Sequence, residues 1–159
     1  MSERADAALA ALRATAAELE RVVRSLTDAD WERLCPDEGW PAGLVAFHIA
    51  RGLQRQAEFI EEARAGRAPH EFDWGVTHAL NATIAAAHPA PRRDEALALT
   101  RSAVDRIAAV LGTMDDAALD RVAWRFEGRE RDAVWIAGRL ATAHARGHLE
   151  SIAATVAKA

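Results

Sequence analysis

The chain has no tyrosine and a single cysteine. Its one lysine is Lys158. Without tyrosine, no phenol can act as general acid, nucleophile or oxyanion donor. The lone Cys35 excludes an internal disulfide and fits a reducing compartment. Arginine supplies every other positive side chain. Long apolar runs are missing too. Stretches such as residues 43–47 fall far short of the ~20 residues that cross a bilayer. Residues 1–25 carry charges throughout and lack the apolar stretch of a signal peptide. The formal net charge of −4 argues against nucleic acid as the main partner. No glycine-rich phosphate loop follows a strand, and no Gly-x-Ser-x-Gly elbow occurs. The His-Glu-x-x-His protease motif is absent, because Ala145 stands where its general base would be. The expectation is a cytoplasmic protein handling a small molecule, with no membrane and no nucleic acid.

What remains is helix-forming sequence. The 159 residues suit one domain over 1–159, and half are hydrophobic, many of them alanine. Leu9, Leu12, Ala16, Leu19, Val22, Val23 and Leu26 recur at three- and four-residue steps, predicting a helix over 3–27. Thr27 to Asp30 reads as the cap of a short turn, and 35–39 as a loop. Trp40-Pro41 is read as the start of a second helix, with proline at its first position. That helix runs to about Ala65 and stops near Gly66. Residues 67–75 form a loop with His70, Phe72 and Trp74. Helix resumes over 76–87, breaks at His88-Pro89, and continues over 94–111, as one broken helix or two in series. Residues 114–131 are the least regular part, with a short turn near Leu119 and an extended stretch from Trp124. A last helix covers 131–157, with Val134, Ala137, Ala141, His144, His148 and Ile152 as its inner stripe. The fold class is all-α, an up-down-type four-helix bundle.

Two histidines, His144 and His148, stand four residues apart on the last helix and so share one face. His48 lies about two turns into the second helix, on a face meant for the core. Each alone is more simply a packed or exposed side chain. Three imidazoles buried in one bundle without a metal would each need polar partners, so a shared divalent ion explains them better. Three neutral imidazoles suit zinc first, with nickel, iron or manganese as alternatives, and leave positions open for water or substrate. Weaker candidates for the surrounding pocket are Trp74, His78, Asn81 and Arg55, the last as a partner for an anion. Gly52 and Gly147 leave room either for substrate or for close helix packing. Asp37 and Glu38 favour the start of the second helix, or one of them holds a histidine N–H.

Trp40-Pro41-Ala42-Gly43-Leu44-Val45-Ala46-Phe47-His48-Ile49-Ala50 resembles the start of the second helix in the DinB-like superfamily, where a histidine follows an opening tryptophan. Ala143-His144-Ala145-Arg146-Gly147-His148-Leu149-Glu150-Ser151-Ile152 resembles that family's last-helix motif. The resemblance spans nearly the whole chain. It implies a divalent-metal bundle with ligands His48, His144 and His148, and a homodimer through exposed helix faces. The superfamily includes mycothiol-dependent maleylpyruvate isomerase and bacillithiol transferases, which implies a transferase or isomerase using a small thiol such as mycothiol on a small electrophile. Maleylpyruvate isomerase carries a carboxylate where this chain has His144, and a further domain that 159 residues cannot hold, so that particular reaction is not expected. A metal-dependent hydrolase and a non-catalytic metal-stabilised bundle are the alternatives.

Overall fold

The computed structural model describes residues 2–157. In chain order it contains α1 (Glu3–Ser25), α2 (Asp28–Trp31), β1 (Leu34–Cys35), β2 (Trp40–Pro41), α3 (Ala42–Arg64), β3 (His70–Glu71) and α4 (Trp74–Ala87). Then follow α5 (Arg93–Leu111), α6 (Asp116–Leu119), β4 (Val122–Phe126), β5 (Arg129–Asp132), α7 (Ala133–Trp135), a π-helical segment (Ile136–Leu140) and α8 (Ala141–Val156). No helix among the described residues is long and apolar enough to cross a membrane.

The core is the apolar stripe of each long helix. In α1, Leu9, Leu12, Leu19 and Val23 are almost fully buried. In α3, Phe47, Ile49, Leu53 and Ile60 are. Each such side chain contributes roughly 1.5–3 kcal/mol on burial. Helix α3 packs along α5 and against α8, and α1 packs against the same two helices. Helices α1 and α3, consecutive among the long ones, therefore touch little. The long connections between them let the chain cross the bundle. Trp31 shows how closely α3 is approached. A Cβ on Gly43 would fall 2.3 Å from its indole ring, and the indole N–H donates to the Pro91 carbonyl at 3.0 Å.

Helix ends follow local chemistry. Ser2 caps α1, and Thr27 with Asp30 forms a capping box on α2. Asp73 and Asp115 cap α4 and α6. Gly66, with φ of +71°, turns the chain away after α3. Residues 76–111 resolve into two helices in series, broken at His88-Pro89.

Three sequence expectations need correction. Trp40-Pro41 does not open α3; it pairs antiparallel with Leu34–Cys35, and the helix begins at Ala42. The bundle also carries a three-stranded sheet. His70–Glu71 runs parallel to β4, which forms a hairpin with β5. The last helix begins at Ala133 and not at Arg131, because Arg131 and Asp132 belong to that hairpin and Asp132 caps α7.

Candidate metal centre

Helix α3 carries His48 and α8 carries His144 and His148, and the bundle brings all three together. One ligand atom from each lies within 4.8 Å of the others. The ring centroids form a near-equilateral triangle of 4.8–5.0 Å, with the planes tilted 59–88° to one another. The Nε2 atoms of His48 and His144 are 3.1 Å apart. Two imidazole nitrogens on one tetrahedral zinc at 2.0–2.1 Å stand about 3.4 Å apart, so this spacing suits a shared ion.

The electrostatics suit it as well. Burial pushes His48 down to about 4, with the neighbouring His148 adding to the effect. Burial pushes His144 to about 3, helped by His48 and His148. Both rings are neutral near pH 7, the state in which imidazole ligates. His148 is oriented from behind. Its Nδ1 meets Glu38 Oε1 at 2.8 Å, and the other Glu38 oxygen accepts from the Ser151 hydroxyl at 2.6 Å. That bond fixes the tautomer that leaves Nε2 free for an ion. Burial alone would raise the Glu38 carboxyl, but the bonds from Ser151 and His148 outweigh it and hold it below the usual range. So Glu38 supports a histidine from the β1–β2 turn.

Helix α8 places its histidines beside the core stripe and not on it. Ala141, Ala145, Leu149 and Ile152 fill the core. His144 and His148 stand next to them, half-buried, on the wall of a cavity of about 790 Å3. The widened π turn lies immediately before them, a distortion frequent at functional sites. Gly52 makes room for His144, since a Cβ there would lie 2.8 Å from the ring's Cε1. Gly147 meets nothing within 4 Å, so it has no comparable packing role.

The cavity runs from the histidines along α3 towards the sheet. Its wall includes Arg55, Trp74, His78 and Asn81, all singled out from the sequence. Residues that sequence reasoning missed make up much of the rest: Trp40, Gln56, Phe59, Phe72, Trp124 and Phe126. Gln56 had a readable signal, standing eight residues after His48 and four after Gly52 on one face of α3. Trp124 and Phe126 had none, because β4 meets α3 and β3 only through contacts remote in the sequence. Cys35 is buried and does not line the cavity; desolvation raises its thiol pKa, against hydrogen bonds from Thr155 and Ser151 that lower it.

Fold and site together define a helical bundle with a three-histidine centre open to an apolar cavity. The sequence profile of the DinB superfamily matches residues 11–152. The chain belongs to the DinB superfamily. Among solved structures it is similar to YfiT from Bacillus subtilis, described as a probable metal-dependent hydrolase with an unusual four-helix bundle topology. That similarity has a TM-score of 0.79 and 18% sequence identity, covering 99% of this chain and 89% of that one. None of the curated proteins compared matches the chain.

Proposed function

We propose that this protein is a metal-dependent transferase or isomerase that acts on a small electrophile through a low-molecular-weight thiol of the mycothiol type. The observation that carries the reading is the convergence of three imidazoles on the wall of a large, mainly apolar cavity. A closed, dry site would have favoured a non-catalytic bundle.

His48, His144 and His148 would hold the ion, zinc being the first choice for a three-imidazole set. A divalent ion supplies Lewis acidity and lowers the pKa of a thiol or water beside it. The chain's own contributions are positional. Glu38 keeps His148 in one tautomer and orientation. Burial keeps His48 and His144 unprotonated. The aromatic walls displace water from the electrophile and strengthen the polar interactions within.

A second reading, a metal-dependent hydrolase, is favoured by the description of YfiT. It ranks lower because Glu38 is the one carboxylate lining the cavity among the described residues, and both its oxygens are engaged. That leaves no free general base, which thiol attack needs less than hydrolysis does.

The test is thiol consumption by zinc-loaded protein given mycothiol and an activated aryl chloride, beside His148→Ala. The wild type should consume thiol at least tenfold faster than the variant. Equal rates would remove the thiol reading. Turnover of aryl esters in thiol-free buffer would replace it with the hydrolase.

A further inference from the structure

Arginines on this surface mostly find carboxylates. Arg4 pairs with Asp120 and Asp132, Arg106 with Glu61, and Arg125 with Glu71 and Glu130. Arg55 is different. It is half-buried in the cavity wall, and no carboxylate lies within ion-pair distance of it among the described residues. Its guanidinium carbon stands 5.6 Å from the Phe59 ring centroid. A cation–π contact needs no hydrogen-bond acceptor, so the guanidinium keeps N–H donors for a planar anion. The adjacent Gln56 is 6% exposed and lines the same cavity. Its Oε1 has no hydrogen-bond partner among the described residues. That oxygen is an acceptor, so a donor on the ligand's body, and not an anion, would complete it.

Arg55 and Gln56 lie seven and eight residues along α3 from His48, about 11 Å at 1.5 Å per residue. The cavity wall also carries the aromatic side chains Phe59, Phe72, Trp74, Trp124 and Phe126. Among the described residues the only other charged side chain on the wall, Glu38, is held by His148 and Ser151.

We propose that the cavity takes a flat aromatic carboxylate, its carboxylate bound by the Arg55 guanidinium and its far end directed at the three histidines. This rests on the proposed function for where the reaction takes place. The anion site itself stands on α3 alone and needs no metal. A guanidinium meets a carboxylate through two parallel N–H···O bonds, which a neutral amide of the same shape cannot accept. Arg55 is thus the residue that selects for charge, and the aromatic walls select for flatness.

The test is calorimetric titration of 2-naphthoate and its neutral isostere 2-naphthamide into zinc-loaded protein and into chelator-stripped protein. Wild type should prefer the naphthoate about tenfold or more in both preparations. Arg55→Gln should abolish that preference while leaving naphthamide affinity within about twofold, and Arg55→Lys should keep part of it. Equal affinity for the two ligands in wild type would overturn the proposal, as would binding of neither. A preference seen only with zinc and surviving Arg55→Gln would also overturn it, since the carboxylate would then sit on the ion. Zinc uptake is titrated separately. Protein that takes no zinc yet keeps the Arg55-dependent preference would sink the metal chemistry and leave the anion site standing.

Discussion

At the scale of single residues, the site depends on a few close fits. Gly52→Ala places a Cβ 2.8 Å from His144 Cε1, so the ring must leave its position. The variant should stay folded, by circular dichroism, and lose at least tenfold in zinc affinity measured by chelator competition. Glu38→Ala removes the acceptor behind His148 Nδ1 and the partner of Ser151. Loss of such an outer partner lowers metal affinity about 10–100-fold. The same competition assay should find that loss, and unchanged affinity would mean Glu38 does not orient the ligand. The ligand histidines were legible in the sequence because spacing of i and i+4 fixes a shared helix face, whatever the tertiary structure. Phe59 was not singled out, because on α3 a cavity wall and a packed core present the same apolar period. Only the space left by neighbouring helices tells them apart.

Among the helices longer than one turn, α4 is the least anchored. None of its residues is buried. Its first turn is pinned by Asp73, whose Oδ1 accepts from the Val76 N–H at 2.8 Å. Yet Trp74, Thr77, His78 and Asn81 from this helix line the cavity. Asp73→Ala should cost about 1 kcal/mol locally. Hydrogen exchange should show faster exchange of α4 amides, with those of α1, α3 and α5 unchanged. Uniform loss of protection across all helices would contradict this. The long helices were readable because each repeats its apolar stripe over many turns. The strands were not. His70–Glu71 and Leu34–Cys35 are two residues long, and each exists only through a partner remote in the sequence or across a turn. The π segment was equally hidden. Apart from Gly138, the residues Ile136 to Leu140 are ordinary helix formers, and the segment packs closely on α1, where a Cβ on Gly138 would lie 3.2 Å from that of Ala8.

For the whole molecule, the buried histidines couple stability to pH. His48 and His144 titrate near 4 and 3 in the folded, metal-free protein, against a usual 6.5. Between pH 6.5 and those values the unfolded chain binds more protons than the folded one. Stability therefore rises with pH in that window and is lost as pH falls through it. Urea unfolding of stripped protein should give falling midpoints from pH 7 to pH 4. A His48→Leu, His144→Leu double variant should show a shallower slope. Zinc binds the folded state and should raise the midpoint at pH 7 by mass action.

The central claim is that the three histidines share one metal ion. Metal content by mass spectrometry of untagged protein, beside His144→Ala, tests it most directly. The account predicts close to one divalent ion per wild-type chain and a large loss in the variant. Wild-type protein that is folded, metal-free and unable to take up zinc, nickel, iron or manganese would contradict it. The histidines would then be polar wall residues of a binding cavity.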